Sequence, residues 1–366
     1  MSDKIKNAVV TVSFLFVIIV IFISNILKDE IDISQAERRK LAKFPKVTIS
    51  SILNGKFVDD FEDYTMDQFV KRDEFRTLKT ALELNLFLKT DSNDIYKYND
   101  YLVKQEYPLN EKSVLNLTKK INLIKDNYLD DSNKTYFSIV SDKNYYVESD
   151  KYLKSDYEKL ENTMIQNLNG IKYIDITNEL ELNDYYFTDT HWKQENLLGV
   201  LNKIANEMSF NDRIETNFNK EKIIDFKGVY AGQLPVKVKE DVINVLTNNV
   251  IKESSVYNYE TKKYTEVYDM NKLNNSFDKY DIYLSGATPL LKINNSNSKS
   301  NKKLIVFRDS FGSSLIPLFI EAYKEIMVVD TRYIASSLLG EYVDFKEADV
   351  FFIYSTLIIN NSNTLK

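Results

Sequence analysis

The chain holds one histidine and one tryptophan in 366 residues, and they are neighbours, His191 and Trp192. They close the segment Tyr185-Tyr186-Phe187-Thr188-Asp189-Thr190-His191-Trp192, with Asp189 two positions before the imidazole. A carboxylate at that distance can bond one ring nitrogen, fixing the tautomer and stabilising the imidazolium, while the other nitrogen faces a substrate. The same residues also suit plainer work: a surface histidine, with Asp189 or Thr190 capping the helix that follows. A second cluster ends the run Leu304-Ile305-Val306-Phe307-Arg308-Asp309-Ser310-Phe311-Gly312. Ser310 there follows a buried strand, and ligands of open parallel sheets bind outside the carboxyl ends of strands. A serine needs a base to act as nucleophile, and His191 is the sole imidazole. Ser310, His191 and Asp189 therefore form a candidate Ser-His-Asp triad for acyl transfer. The alternative is that Ser310 caps the next helix.

Composition excludes most competing chemistries. There is no cysteine, which removes disulfides, Fe–S clusters and thiolate zinc sites, and a single histidine removes multi-histidine metal sites. No Gly-rich phosphate loop is present, so neither a metal nor a cofactor is expected. Lys and Arg total 48 against 54 Asp and Glu, a net charge of −6 that argues against a nucleic-acid binder. Hydrophobic residues at 43% suffice for a sizeable core.

These residues need a scaffold, and the chain supplies one in stages. Residues 8–27 (AVVTVSFLFVIIVIFISNIL) form an apolar run long enough to span the ~30 Å core of a bilayer. Lys4 and Lys6 in the short segment 1–7 favour an inside N-terminus and an exported remainder. The competing reading is a cleaved signal peptide, against which stand the length of the run and the lack of an A-x-A-like site. Residues 28–50, with the charged Glu37-Arg38-Arg39-Lys40, read as a stalk, and residues 51–366 as the extracytoplasmic domain. Apolar spacing predicts helix from Ile52 to Lys89, and Asn110 can cap a helix over Glu111–Tyr128. Short β-rich runs follow: Thr135–Val140, Ile171–Ile176, Lys303–Phe307, Ile326–Asp330 and Val350–Tyr354. Helical stretches Ser155–Leu168, Gln194–Met208 and Gly312–Tyr323 separate several of them. This alternation predicts a three-layer α/β fold with a parallel sheet covered on both faces. The polar stretch 211–301 interrupts it and reads as an insertion or cap.

The motif DTHW at Asp189–Trp192, followed about 120 residues later by RDSFG at Arg308–Gly312, resembles the DHHW proteins. These are relatives of the SGNH-hydrolase-like (flavodoxin-like) proteins that O-acetylate alginate and other exported polysaccharides. Further matches are Glu37-Arg38-Arg39-x-Leu41-Ala42-x-x-Pro45, Phe226-x-Gly228, Asp330-x-Arg332-Tyr333 and the final run Asp349–Tyr354. The resemblance implies Ser310 as nucleophile, His191 as base and Asp189 as its orienting acid. It departs from the pattern at Thr190, where the name-giving histidine would stand, and at Arg308, where SGNH enzymes carry Gly-Asp-Ser. No asparagine takes the oxyanion-hole position; Ser285-Gly286-Ala287 is the candidate loop, with the N–H groups of Gly286 and Ser310 as donors.

Other residues are open to two readings each. Arg308 and Trp192 flank the triad as substrate-binding candidates. Arg332 can grip a sugar carboxylate or polarise an acyl oxygen, or else pair with Asp330 or Asp344. Lys143 sits in a turn similar to a Pro-x-Lys turn of the family, with Ser141 in place of proline. The 25 tyrosines can stack on sugar rings or fill the core. Gly228 and Gly232 are expected to relieve backbone strain beside Tyr230. The function expected from the resemblance is O-acetyl transfer to an exported polysaccharide, the acyl group coming from a multi-spanning membrane O-acyltransferase partner. An acetyl esterase and a non-catalytic polysaccharide or cell-wall scaffold are the alternatives.

Overall fold

A computed structural model describes residues 3–34, 36–298 and 300–366. Met1, Ser2, Gln35 and Lys299, in the expected N-terminal segment, stalk and polar stretch 211–301, lie outside the described residues. The chain divides into two compact units, one of residues 1–89 with 232–236, the other of residues 90–231 with 237–366. The division thus falls at Lys89–Thr90, not at the expected residue 50.

In the first unit α1 (Asp3–Leu27) is the one described helix long and apolar enough to cross a bilayer, and none of its residues is buried. The segment expected as a stalk is folded. Its strands β1 (Ile33–Ser34) and β2 (Arg39–Lys40) pair antiparallel, ahead of helices α2 (Ile49–Leu53), α3 (Lys56–Asp67) and α4 (Arg72–Ala81). Charge explains this order. Arg39 bonds Asp67 at 2.5 and 2.7 Å, and Glu37 meets Arg72 at 2.8 Å and Arg76 at 3.3 Å, so Glu37 and Arg39 of the motif hold α3 and α4.

The second unit opens with a hairpin, β3 (Ile95–Tyr98) and β4 (Tyr101–Lys104), and with α5 (Glu111–Tyr128), capped by Asn110 as predicted. Then come β5 (Thr135–Val140), α6 (Tyr157–Asn167), β6 (Lys172–Tyr173) and α7 (Leu198–Glu207). β7 (Asn219–Phe226) and β8 (Asp241–Thr247) form a separate hairpin. The remaining strands are β9 (Ser255–Asn258), β10 (Lys263–Thr265), β11 (Leu290–Asn294), β12 (Lys303–Arg308), β13 (Glu325–Val329) and β14 (Ala348–Ser355). Among the described residues, eight of these strands make one sheet in the order β10-β9-β11-β13-β12-β14-β5-β6. Pairing is parallel from β13 to β6 and antiparallel from β10 to β13.

The stretch 211–301 is therefore more than a cap: it adds three antiparallel strands to the edge. The layers follow from continuous apolar strands, which bury alternate side chains on opposite faces. Leu304, Val306, Phe351 and Ile353 join Val200, Leu201 and Ile204 of α7 on one face. Ile305, Phe307, Val350 and Phe352 join Val114, Leu117 and Ile121 of α5 and Met164 of α6 on the other. β12 lies between β13 and β14, so the strand order reverses beside it, and ligands of open parallel sheets bind outside the carboxyl end of a strand so placed. Ser310 stands there.

Candidate active site

The turn after β12 carries Ser310, and a short helix, Gly312–Leu315, begins beyond it. Ser310 is not the cap of this helix; its hydroxyl lies 2.8 Å from His191 Nε2. His191 Nδ1 lies 2.6 Å from Asp189 Oδ1. An ionised carboxylate only accepts, so Nδ1 carries the proton and Nε2 is left to accept from Ser310. Asp189 and His191 are buried and Ser310 is half-buried, so the serine is the member a substrate can reach.

Each member is held by its surroundings. Asp189 Oδ1 also accepts from the His191 N–H at 3.2 Å, and Oδ2 from the Val229 N–H at 3.0 Å. The Tyr280 ring stacks on the imidazole, 3.8 Å between centroids and 5° from parallel, and Phe311 packs 5.1 Å away at a tilt. Tyr280 in turn donates to Ser314 Oγ at 2.7 Å. The loop before Asp189 hangs on Asp241, whose carboxylate accepts from the N–H groups of Phe187 and Thr188 and from the Thr188 hydroxyl at 2.5–2.7 Å. Burial raises the Asp241 carboxyl above its ordinary value. Gly228 N–H donates to Thr188 Oγ1 at 2.6 Å. Gly228 has no positive φ to relieve; it is required because a Cβ there would meet the Asp189 backbone at 2.4 Å.

The flanking side chains are bonded within the protein, and Trp192, Arg308 and Lys143 are buried. Trp192 is fully buried and its Nε1–H donates to Phe311 O at 3.1 Å and Ser314 Oγ at 2.9 Å, tying the histidine segment to the serine helix. Arg308 is fully buried too, donating to Gly286 O at 2.9 Å and to Asp330 Oδ2 at 3.3 Å. Arg332 grips Asp330 through Nε at 2.9 Å and Nη2 at 2.6 Å. Burial opposes the charge of this guanidinium, and Asp330 overrides burial to hold it protonated. Of the readings open for Arg332, the structure thus shows the pairing with Asp330. Lys143 is buried, and its ammonium donates to the carbonyls of Leu102, Tyr186 and Phe187. Burial brings its pKa down to about 7, with Asp189 and Asp241 opposing the shift. Gly286 is not an oxyanion donor: its N–H is spent on Tyr283 O at 3.1 Å. The Ser310 N–H meets no acceptor among the described residues, so it stays available for a developing oxyanion.

Tyr280, Ser314 and Asp241 carry much of this support and had no signal of their own in the sequence, and Asp309 stood in the RDSFG motif with no role assigned to it. Asp309, between Arg308 and Ser310, bonds the Ser355 N–H at 2.7 Å and the Phe311 N–H at 3.0 Å, pinning the serine turn to β14. No group of three or more His, Asp or Glu suited to a metal occurs among the described residues.

No family model matches the chain, and no curated protein matches it. Among solved structures it is similar to a DHHW family protein from Eubacterium siraeum, at a TM-score of 0.62 and 18% identity, over 75% of this chain and 94% of that one. It is also similar to PatB1 of Bacillus cereus with a sulfonyl adduct, at 0.57 and 16%, over 74% and 96%. A second structure of PatB1 gives 0.56 and 15%, over 74% and 97%. At these identities the likeness is one of fold. It is the fold that the DTHW and RDSFG motifs led us to expect.

Proposed function

We propose that this protein is a membrane-anchored, extracytoplasmic O-acyltransferase that acetylates a cell-surface polysaccharide through Ser310. The observation that carries the reading is the single imidazole bonded to a serine on one side and a buried carboxylate on the other, just past the carboxyl end of β12. In the first half-reaction Ser310 Oγ attacks the acyl carbonyl carbon while its proton passes to His191 Nε2. Asp189 stabilises the imidazolium, and the leaving group departs with that proton. In the second half a sugar hydroxyl gives its proton to His191 and attacks the acyl carbon, and Ser310 leaves with the proton returned. The Ser310 N–H supplies one oxyanion contact; each such donor is worth about 3 kcal/mol of barrier. Acetyl-CoA is not found outside the cell, so a multi-spanning membrane partner delivers the acyl group. Helix α1 is the anchor in this reading, with its N-terminus inside.

The test uses the full chain in detergent, p-nitrophenyl acetate as donor and an oligosaccharide as acceptor. Acetylated sugar that disappears in Ser310→Ala supports the transferase. Free acetate alone makes the protein an esterase, and the absence of both turnover and acetyl-enzyme makes it a scaffold.

A further inference from the structure

The first unit leaves apolar side chains open beyond its membrane-length helix. Ile31, Phe44, Met66, Phe75 and Leu78 are each between 47% and 55% exposed. Phe75 and Leu78, with Leu82 just past the end of α4, recur at spacings of three and four residues and so share one side of that helix. Asp73, two residues before Phe75, falls on the opposite side. Single exposed apolar residues need no explanation, but several in one small unit mark a surface that something covers.

Short bonds tie this surface to the end of α1. Asn25 Oδ1, in the last turn of α1, accepts from the Val70 N–H at 2.8 Å. Gln68 accepts from the Ile31 N–H at 3.0 Å and donates to the Ile31 carbonyl at 2.9 Å, and Lys28 reaches the same side chain at 3.5 Å. Tyr64 faces Glu30. Glu30 lies three residues past the end of α1, a reach of about 10 Å at most. Phe44 packs edge-on against Tyr64 at 5.3 Å and Phe61 at 5.9 Å, and Phe75 against Phe69 at 5.6 Å. The headgroup layer adds about 5–8 Å to each side of the hydrocarbon core. With α1 across a bilayer, the corner between α3 and α4 therefore stands at headgroup depth, where amphipathic helices bury their apolar sides. Charge does not compete with this: residues 28–89 carry 12 Lys and Arg against 12 Asp and Glu, so the contact needs no anionic lipid.

We infer that the first unit makes a second membrane contact: the α3–α4 corner and α4 lie on the outer leaflet, with Ile31, Phe44, Met66, Phe75 and Leu78 sunk among the lipid headgroups. The leaflet is the one occupant that surrounds every anchored copy, whatever partner is present. The inference goes beyond the anchor but rests on α1 being an uncleaved span.

The chain has no cysteine, so single thiols can be placed in the full-length protein: Met66→Cys and Leu78→Cys on the apolar surface, Asp73→Cys on the far side of α4. Each is labelled with the polarity-sensitive dye NBD and reconstituted in phosphatidylcholine vesicles, with and without lipid carrying a nitroxide at the headgroup. Emission from positions 66 and 78 should be blue-shifted against position 73 and quenched severalfold more by the nitroxide lipid. Should a label unfold the unit, unmodified protein serves. In the same vesicles Met66, 55% exposed, should be oxidised by chloramine-T more slowly than Met270, 38% exposed, although exposure to water alone predicts the reverse. Water-like emission at 66 and 78, or faster oxidation of Met66, in protein that resists a carbonate wash would overturn the inference and leave the anchor standing. Blue-shifted emission that nitroxide lipid does not quench would overturn it too, because the cover would then be protein, a second copy of this chain included. Protein that the wash strips from the vesicles would overturn the anchor reading and the inference together.

Discussion

Gly228→Ala tests how the aspartate is positioned. An added Cβ would lie 2.3 Å from Asp189 Cβ and 2.4 Å from its Cα and N, whereas ordinary contact starts near 3.4 Å. The two segments must therefore part by about 1 Å. They cannot part freely, because Gly228 N–H is bonded to Thr188 Oγ1, Val229 N–H to Asp189 Oδ2 and Tyr230 N–H to Thr188 O. The displacement falls on Asp189 and, through the 2.6 Å bond, on the His191 ring. Overpacking of this kind costs about 1–3 kcal/mol of stability, and a misplacement of ~1 Å costs about 100-fold in rate. Steady-state hydrolysis of p-nitrophenyl acetate should show kcat falling about 100-fold with KM nearly unchanged, and urea unfolding should show the stability loss. Gly199→Ala is the control, since its nearest neighbour is the end of the Glu179 side chain at 3.3 Å. Gly228→Ala with wild-type kcat and wild-type stability would refute the claim that close approach at this glycine sets the triad.

Trp192→Phe removes the donor to Phe311 O and Ser314 Oγ and leaves a void, so stability should fall by about 2–4 kcal/mol in a denaturant titration, with kcat lowered more than KM is raised. Lys143→Met should change the pH dependence of stability. In the folded protein this amine binds its proton only below about pH 7, against 10.5 ordinarily, so the unfolded chain holds more protons across that window and wild-type stability rises with pH there. The rise, at most ~1.4 kcal/mol per pH unit, should be missing from the variant; parallel pH profiles would reject the assignment. Protease added to intact cells should digest the chain beyond Asp29 and spare a membrane stub, whereas a protected domain would reverse the orientation and a soluble protein starting near residues 24–28 would make the helix a cleaved signal.

The central strands were legible because burial on both faces makes them continuous apolar runs; β5 spans Thr135–Val140, the range read from sequence. β9 and β10 were not, since an edge position with polar or exposed members leaves no such run. The helix expected over Gly312–Tyr323 is α-helical only to Leu315 and then tightens to 3₁₀, with Pro317 in its first turn lacking the N–H an α-helix needs. His191 and Ser310 stood out because a single imidazole leaves little choice of base. Tyr280 could not stand out among 25 tyrosines, nor Asp241, which reaches its loop only through the tertiary fold. Trp192 and Arg308 were misjudged for one reason: adjacency to reactive residues in sequence does not distinguish a side chain that faces the ligand from one that holds the turn.

The most direct test of the account is mass spectrometry of the full chain after a brief reaction with p-nitrophenyl acetate and acid quench. The acetyl group should appear on the peptide bearing Ser310, be lost in Ser310→Ala, and be nearly lost in His191→Ala, because the members of such a triad act as a unit. An acetyl group on another residue, or undiminished labelling in His191→Ala, would contradict the assignment of Ser310 as nucleophile and His191 as its base.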